Sequence, residues 1–235
     1  MVTIGVLLVG VASLPWAREE IPEEALLPDL RTLPPEDFRV EEDGEENTKY
    51  LRFANTVWNA GRGPLELRGE SDPGAEKTRV TQVVHSQNAA AEEVEVGEFV
   101  YHPDHEHWHV EDFALYELRS LTPDGEPGSV VASSGKVSCV MENRRVDAEL
   151  MQEGARWEYE GCGEEVQGIS PGWGDTYGVN LRGQELNIEA VPDGEYALRS
   201  VADPENGIAE SDAENNETIV YVQIGGDGVE EIEKP

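Results

Sequence analysis

Short β-like runs, broken every few residues by Gly, Pro, Asp and Asn, set the rhythm of this 235-residue chain. Such spacing suits strands closed by turns and argues for an all-β, single sandwich-like domain with long loops and little helix. Residues 49–59, 79–85, 94–101, 130–141, 196–202 and 218–224 read as strands. So does the stretch from Val110 to about Arg119, rich in aromatic and branched residues. The best helix candidate is 144–153, where Val146, Leu150 and Met151 share a helical face and Gly154 follows as a stop signal. The domain is expected over 26–225, after an acidic, proline-rich lead-in at 18–25 and before a loose acidic tail at 226–235. Residues 1–17 are apolar and uncharged. They suit a signal peptide or its remnant better than a spanning helix, although no Lys or Arg precedes them. The expected destination is therefore extracellular, without stable membrane association.

Four of the five histidines fall within Tyr101-His102-Pro103-Asp104-His105-Glu106-His107-Trp108-His109. The run leads directly into the apolar strand at 110–119. If the strand begins within it, alternation places His105, His107 and His109 on one face. Three imidazoles on one ribbon suit zinc, copper, iron or nickel, and no cysteine stands nearby to add a thiolate. The alternative is a solvated histidine tract. An apolar strand that must pack favours the three-histidine metal site, with His102 as a fourth ligand or, the preferred reading, as a partner orienting another imidazole. His85 reads as structural.

Fifty acidic residues against 17 basic ones give a formal charge of −33. That excludes a nucleic-acid binder, since phosphate contacts need Lys and Arg. It fits either a dense solubilising surface or a salt-adapted protein whose self-repulsion is screened by high ionic strength. Lysine is scarce, limited to Lys49, Lys77, Lys136 and Lys234. Cys139 and Cys162 lack metal-site spacing and point to a single disulfide. A bridge fits an oxidising compartment, and closing such a loop stabilises by about 3 kcal/mol in the chain-entropy model.

Several ordered motifs resemble the lysyl oxidase family. The histidine run, closing on an acidic-Phe and then Tyr-acidic-Leu, is similar to the family's copper segment. Gly135-Lys136-Val137-Ser138-Cys139 resembles its crosslinking-lysine segment. Cys162-x-x-x-x-Gln167-Gly168-Ile169-Ser170-Pro171-Gly172-x-x-Asp175-Thr176-Tyr177-Gly178 resembles the segment of its quinone-forming tyrosine. Leu27-Pro28-Asp29-Leu30, Val191-Pro192-Asp193-Gly194-Glu195-Tyr196 and the Glu-Ser-Asp-x-x-Asn-Asn loop at 210–216 follow the family's order. The likeness covers roughly residues 26–224. It implies a copper amine oxidase, with His105, His107 and His109 as ligands and Lys136 and Tyr177 as precursors of lysine tyrosylquinone. Primary amines would be converted with O2 to aldehydes, releasing ammonia and hydrogen peroxide. Asp112 or Glu111 is the expected general base.

The chain also departs from the animal enzymes. Asp104 stands where they hold a cysteine, and the stretch between His109 and Phe113 is one residue shorter. The first departure leaves Cys162 to pair with Cys139; the second puts the base assignment in doubt. Small or peptidyl cationic amines are the substrate class expected for so anionic a surface. A competing reading is a secreted sandwich that binds copper or zinc without a quinone. Another is a histidine-metal oxygenase in which Glu111 completes a facial triad. Glu210, Asp212, Asn215 and Asn216, with Asp29 and the Leu30 carbonyl, offer hard oxygens for a calcium ion. An Asx-rich turn is the simpler reading of that loop, and the family's association with calcium favours the ion.

Overall fold

The computed structural model describes residues 24–43, 48–70, 74–88, 91–103, 106–151, 153–226 and 228–235. The segment at 1–17 and His105 lie outside these residues, as does Asp104. The first strands in chain order are β1 (Ala25–Leu26), β2 (Leu30–Thr32), β3 (Glu36–Asp43), β4 (Thr48–Asn59) and β5 (Leu65–Gly69). Then come β6 (Lys77–Ser86), β7 (Glu92–His102), β8 (His107–Leu121), β9 (Pro127–Ser138), β10 (Arg144–Arg145) and β11 (Val166–Ile169). The last are β12 (Trp173–Tyr177), β13 (Glu185–Asn187), β14 (Gly194–Ala202), β15 (Glu217–Gly225) and β16 (Gly228–Ile232). All pairings among them are antiparallel.

Two sheets carry these strands. The larger runs β11-β5-β6-β7-β8-β14-β15-β16, with β1 on β6 and β9 on β8. The smaller runs β10-β12-β4-β13, with β2 and β3 also on β4. Phe53 and Val57 of β4, Trp173 of β12, Tyr116 and Leu118 of β8, Leu198 of β14 and Val222 of β15 bury their side chains in one core. Phe53 meets Tyr116 edge-on, ring centroids 5.0 Å apart. Such pairs add to plain area burial. This is the all-β sandwich that the turn rhythm predicts.

No helix forms among the described residues, so the reading of 144–153 as a helix is corrected. The periodic apolar positions there are satisfied by packing rather than by a helical turn. The N–H groups of Val146 and Asp147 both donate to the Gly172 carbonyl, at 2.9 and 3.0 Å. Leu150 and Met151 lie against Gly172, whose φ of +81° and close neighbours leave no room for a side chain. Tertiary bonds override local propensity. The tail at 226–235 is not loose either: β16 pairs with β15 over Tyr221–Gly225, and Val229 packs on the core.

Candidate active site

The histidine strand reaches the site through a bulge. Between Val110 and Ala114, β8 runs four residues while β9 runs two, and Asp112 sits at φ +52°. Before this point His109 is the buried residue; after it Ala114, Tyr116 and Leu118 are. Phe113 and Ala114 are buried side by side at this irregularity, which joins the His109 end of the strand to its core-facing stretch. His107 and His109 project to the same side with ring centroids 4.7 Å apart. His102 is the cross-strand partner of His107 and stacks on His109 at 5.0 Å. Three imidazoles therefore gather among the described residues. Imidazole nitrogen is a donor for copper or zinc, but among the described residues no three His, Cys, Asp or Glu side chains are arranged to hold an ion; His107 and His109 face the cavity described next.

That cavity, ≈ 490 Å3, is lined by His107 and His109 of β8, Lys136 of β9, Asp175 and Tyr177 of β12, and Leu181 and Arg182 beyond. Lys136 stands opposite Ala114, so it shares the inward face of the strand pair. It is 4% exposed, and its ammonium lies 5.1 Å from the centroid of the Tyr177 ring while donating to the Arg182 carbonyl at 3.3 Å. Burial lowers the Lys136 pKa, opposed by the nearby Glu185 and Asp175 carboxylates. A buried lysine is thereby biased toward the neutral amine, the nucleophilic form.

Tyr177, 2% exposed, donates its hydroxyl to the Cys139 carbonyl at 3.3 Å, and burial raises its pKa. Asp175 shares its strand face two residues back. Its carboxylate accepts from Met141 N–H at 3.1 Å and from the Asn143 amide at 2.7 Å. Burial pushes it up to about 7 against those bonds. Nothing in the motif reading singled Asp175 out. Alternation along β12 from Tyr177 was the signal available.

The disulfide between Cys139 and Cys162 joins the end of β9 to the loop before β11, with Cα atoms 5.2 Å apart. Trp108 N–H donates to the Cys162 carbonyl, and buried Gln167 bridges the Trp108 carbonyl and the Val140 N–H. The histidine strand, the lysine strand and the tyrosine segment are thus tied together on one side of the cavity. Asp112 and Glu111 lie elsewhere. Asp112 turns toward Gly135 and a small cleft beside Asp203, and Glu111 stands 3.8 Å from Lys77. His85 is bound to Glu66 at 2.7 Å, far along the sheet from the histidine run.

A second cluster joins the chain's start to the loop at 210–216. Glu210 accepts from the Leu30 N–H and from the Asn216 amide, while Asp212 accepts from Asn215. Asp29 Oδ1, Asn215 Oδ1 and Asn216 Oδ1 are buried and have no hydrogen-bond partner. Burial pushes Glu210 up to about 8. Three orphaned oxygens beside a carboxylate starved of positive charge fit a hard cation such as calcium.

Comparison with known proteins completes the assignment. The lysyl oxidase family model matches residues 76–232. The chain belongs to the lysyl oxidase family. Lysyl oxidase homolog 4 of Mus musculus is 33% identical over 169 residues, covering 72% of this chain and 18% of its own length. Lysyl oxidase homolog 2 of Gallus gallus is 34% identical over 119 residues, 50% of this chain and 14% of its own. Lysyl oxidase homolog 1 of Homo sapiens is 32% identical over 117 residues, 49% and 19% respectively. The chain thus spans less than a fifth of the length of each of these relatives.

Proposed function

We propose that this protein is a copper-dependent amine oxidase whose cofactor is lysine tyrosylquinone built from Lys136 and Tyr177. The observation that carries the proposal is the approach of the Lys136 amine to the Tyr177 ring, 5.1 Å to its centroid, inside a cavity also lined by His107 and His109. His107 and His109, with His105 of the same run, would hold copper. Copper and the quinone together supply the redox chemistry with O2 that no ordinary side chain offers.

The chain's own residues do the rest. Burial removes water from Lys136 and favours its neutral form, ready to bond to the neighbouring ring. The Cys139 carbonyl and the Asp175 carboxylate fix the phenol's orientation. Asp175, held by Met141 and Asn143, is the cavity's carboxylate and the group placed to take or return a proton near neutral pH. It replaces Asp112 and Glu111 in that role. Primary amines would enter as substrates with O2 and leave as aldehydes, with ammonia and hydrogen peroxide released.

Calcium in the 210–216 cluster would tie the first strands to β15 and act on stability. The disulfide and the charge of −33 support a secreted protein of a salt-rich setting. No helix of the described residues is long and apolar enough to cross a membrane.

The test is a visible absorption spectrum of copper-loaded, aerated protein before and after phenylhydrazine. A band that shifts on hydrazine addition, and that Tyr177→Phe and Lys136→Ala both abolish while copper stays bound, is expected. A colourless protein that binds copper and shows no hydrazine reaction would instead describe a metal-binding sandwich without a quinone.

A further inference from the structure

Three strands of five or more residues pair on one side alone among the described residues: β3, β9 and β16. Open strand edges present unpaired N–H and C=O groups, and proteins blunt them with charge. β3 reads Glu36-Asp37-Phe38-Arg39-Val40-Glu41-Glu42-Asp43, and β16 carries Glu230 and Glu231. β9 is built differently. From Pro127 to Met141 its one charged residue is Lys136, which is buried. That holds in a chain of which 29% is charged. Instead β9 exposes Val130, Val131 and Val137, each 42–43% exposed, among serines and small residues.

The unguarded edge also leads somewhere. Its C-terminal end supplies Lys136, Val137, Ser138 and Cys139 to the cavity wall, and exposed Leu181 lines the same cavity. A peptide laid against β9 would use main-chain hydrogen bonds for affinity while alternate side chains turn toward the sheet's faces. One of them would reach the cavity entrance. The molecule as a whole, at −33, attracts a cationic chain, and the strand's exposed residues carry no charge to be desolvated along the pairing line.

We propose that the open edge of β9 is a docking rail for an extended lysine-bearing polypeptide, which it pairs with as an added strand and whose amine it delivers to the cavity. The proposal rests on the amine-oxidase reading and adds to it the strand edge on which a peptidyl substrate would lie.

Two measurements on the full, copper-loaded protein test it. The first compares peroxide release from a flexible peptide with one central lysine, from its twin carrying N-methyl groups on alternate backbone amides, and from n-butylamine. The unmodified peptide is expected to exceed its twin in kcat/KM by roughly tenfold or more, about 1.4 kcal/mol per factor of ten. Equal values for the two peptides, or n-butylamine matching the better one, would overturn the rail.

The second follows backbone amide exchange with the same peptide carrying norleucine in place of lysine, which cannot react. Slowed exchange within 129–137 is expected on addition, and protection elsewhere or none would overturn the proposal. Protection of that segment before any peptide is added, together with a dimer in sedimentation, would assign the edge to a second copy and also overturn it. Absence of peroxide from every amine would defeat the oxidase reading instead, while the exchange result would still decide the edge.

Discussion

Asp175 is held protonated far above the ordinary carboxylate range, up to about 7, because burial outweighs the bonds from Met141, Asn143 and Tyr177. Its folded pKa is raised above the unfolded value, so the folded chain keeps a proton that the unfolded chain releases. This contribution to stability is complete below about 4 and is lost as pH rises through about 7. Asp175→Asn should remove the loss, making the variant more stable relative to the parent at pH 8 than at pH 5, on the order of a few kcal/mol. Urea midpoints of both proteins at the two pH values, in high salt, check this; parallel pH dependences would contradict it. The same substitution should abolish amine-dependent peroxide release.

Lys136 and Tyr177 were legible as residues because their flanking motifs resemble a family. Their proximity was expected from that resemblance and from a Cys139–Cys162 bridge drawing the two segments together, whereas how β9 and β12 meet across two sheets was not. The bulge at Asp112 was hidden, because a single residue of positive φ is announced by no periodicity.

At the level of elements, the 210–216 loop shows how far composition reaches. Its acids and amides suggested a cation, but an Asx-rich turn would read the same. Geometry adds the buried, partnerless oxygens of Asp29, Asn215 and Asn216, two of them on that loop and one ahead of β2. Calcium should therefore raise the melting temperature of chelator-treated protein, by about 2.7 kcal/mol of stabilisation at a hundredfold excess over Kd. Asp212→Ala should weaken the response. Melting curves unchanged by both chelation and substitution would remove the ion from the account.

The long strands were legible at nearly their true extents, β4 and β14 above all, because both are rich in buried residues and are bounded by turn residues. The segment at 144–153 was misread because its apolar spacing serves contacts with Gly172, which no local window contains. β5, β11 and β16 were too short to stand out without the neighbours they pair with.

The whole molecule is governed by its charge. Fifty acids against 17 bases leave a net charge of −33, and the excess carboxylates repel one another over a Debye length that shrinks from about 10 Å at 0.1 M salt to about 3 Å at 1 M. Only part of that charge is paired, as where Glu117 meets Arg119 and Arg199, each at 2.9 Å. The melting temperature should therefore climb steeply with salt up to molar concentrations. A flat profile would contradict salt adaptation and leave the charge as a solubility device.

The central claim is that Lys136 and Tyr177 become one cofactor. Proteolytic mass spectrometry of copper-loaded, aerated protein tests it most directly. The account predicts a peptide pair covalently joined through Lys136 and Tyr177, dependent on copper and O2 and missing from Tyr177→Phe. Recovery of both residues unmodified from protein that oxidises amines, or full peroxide release by Tyr177→Phe, would contradict it.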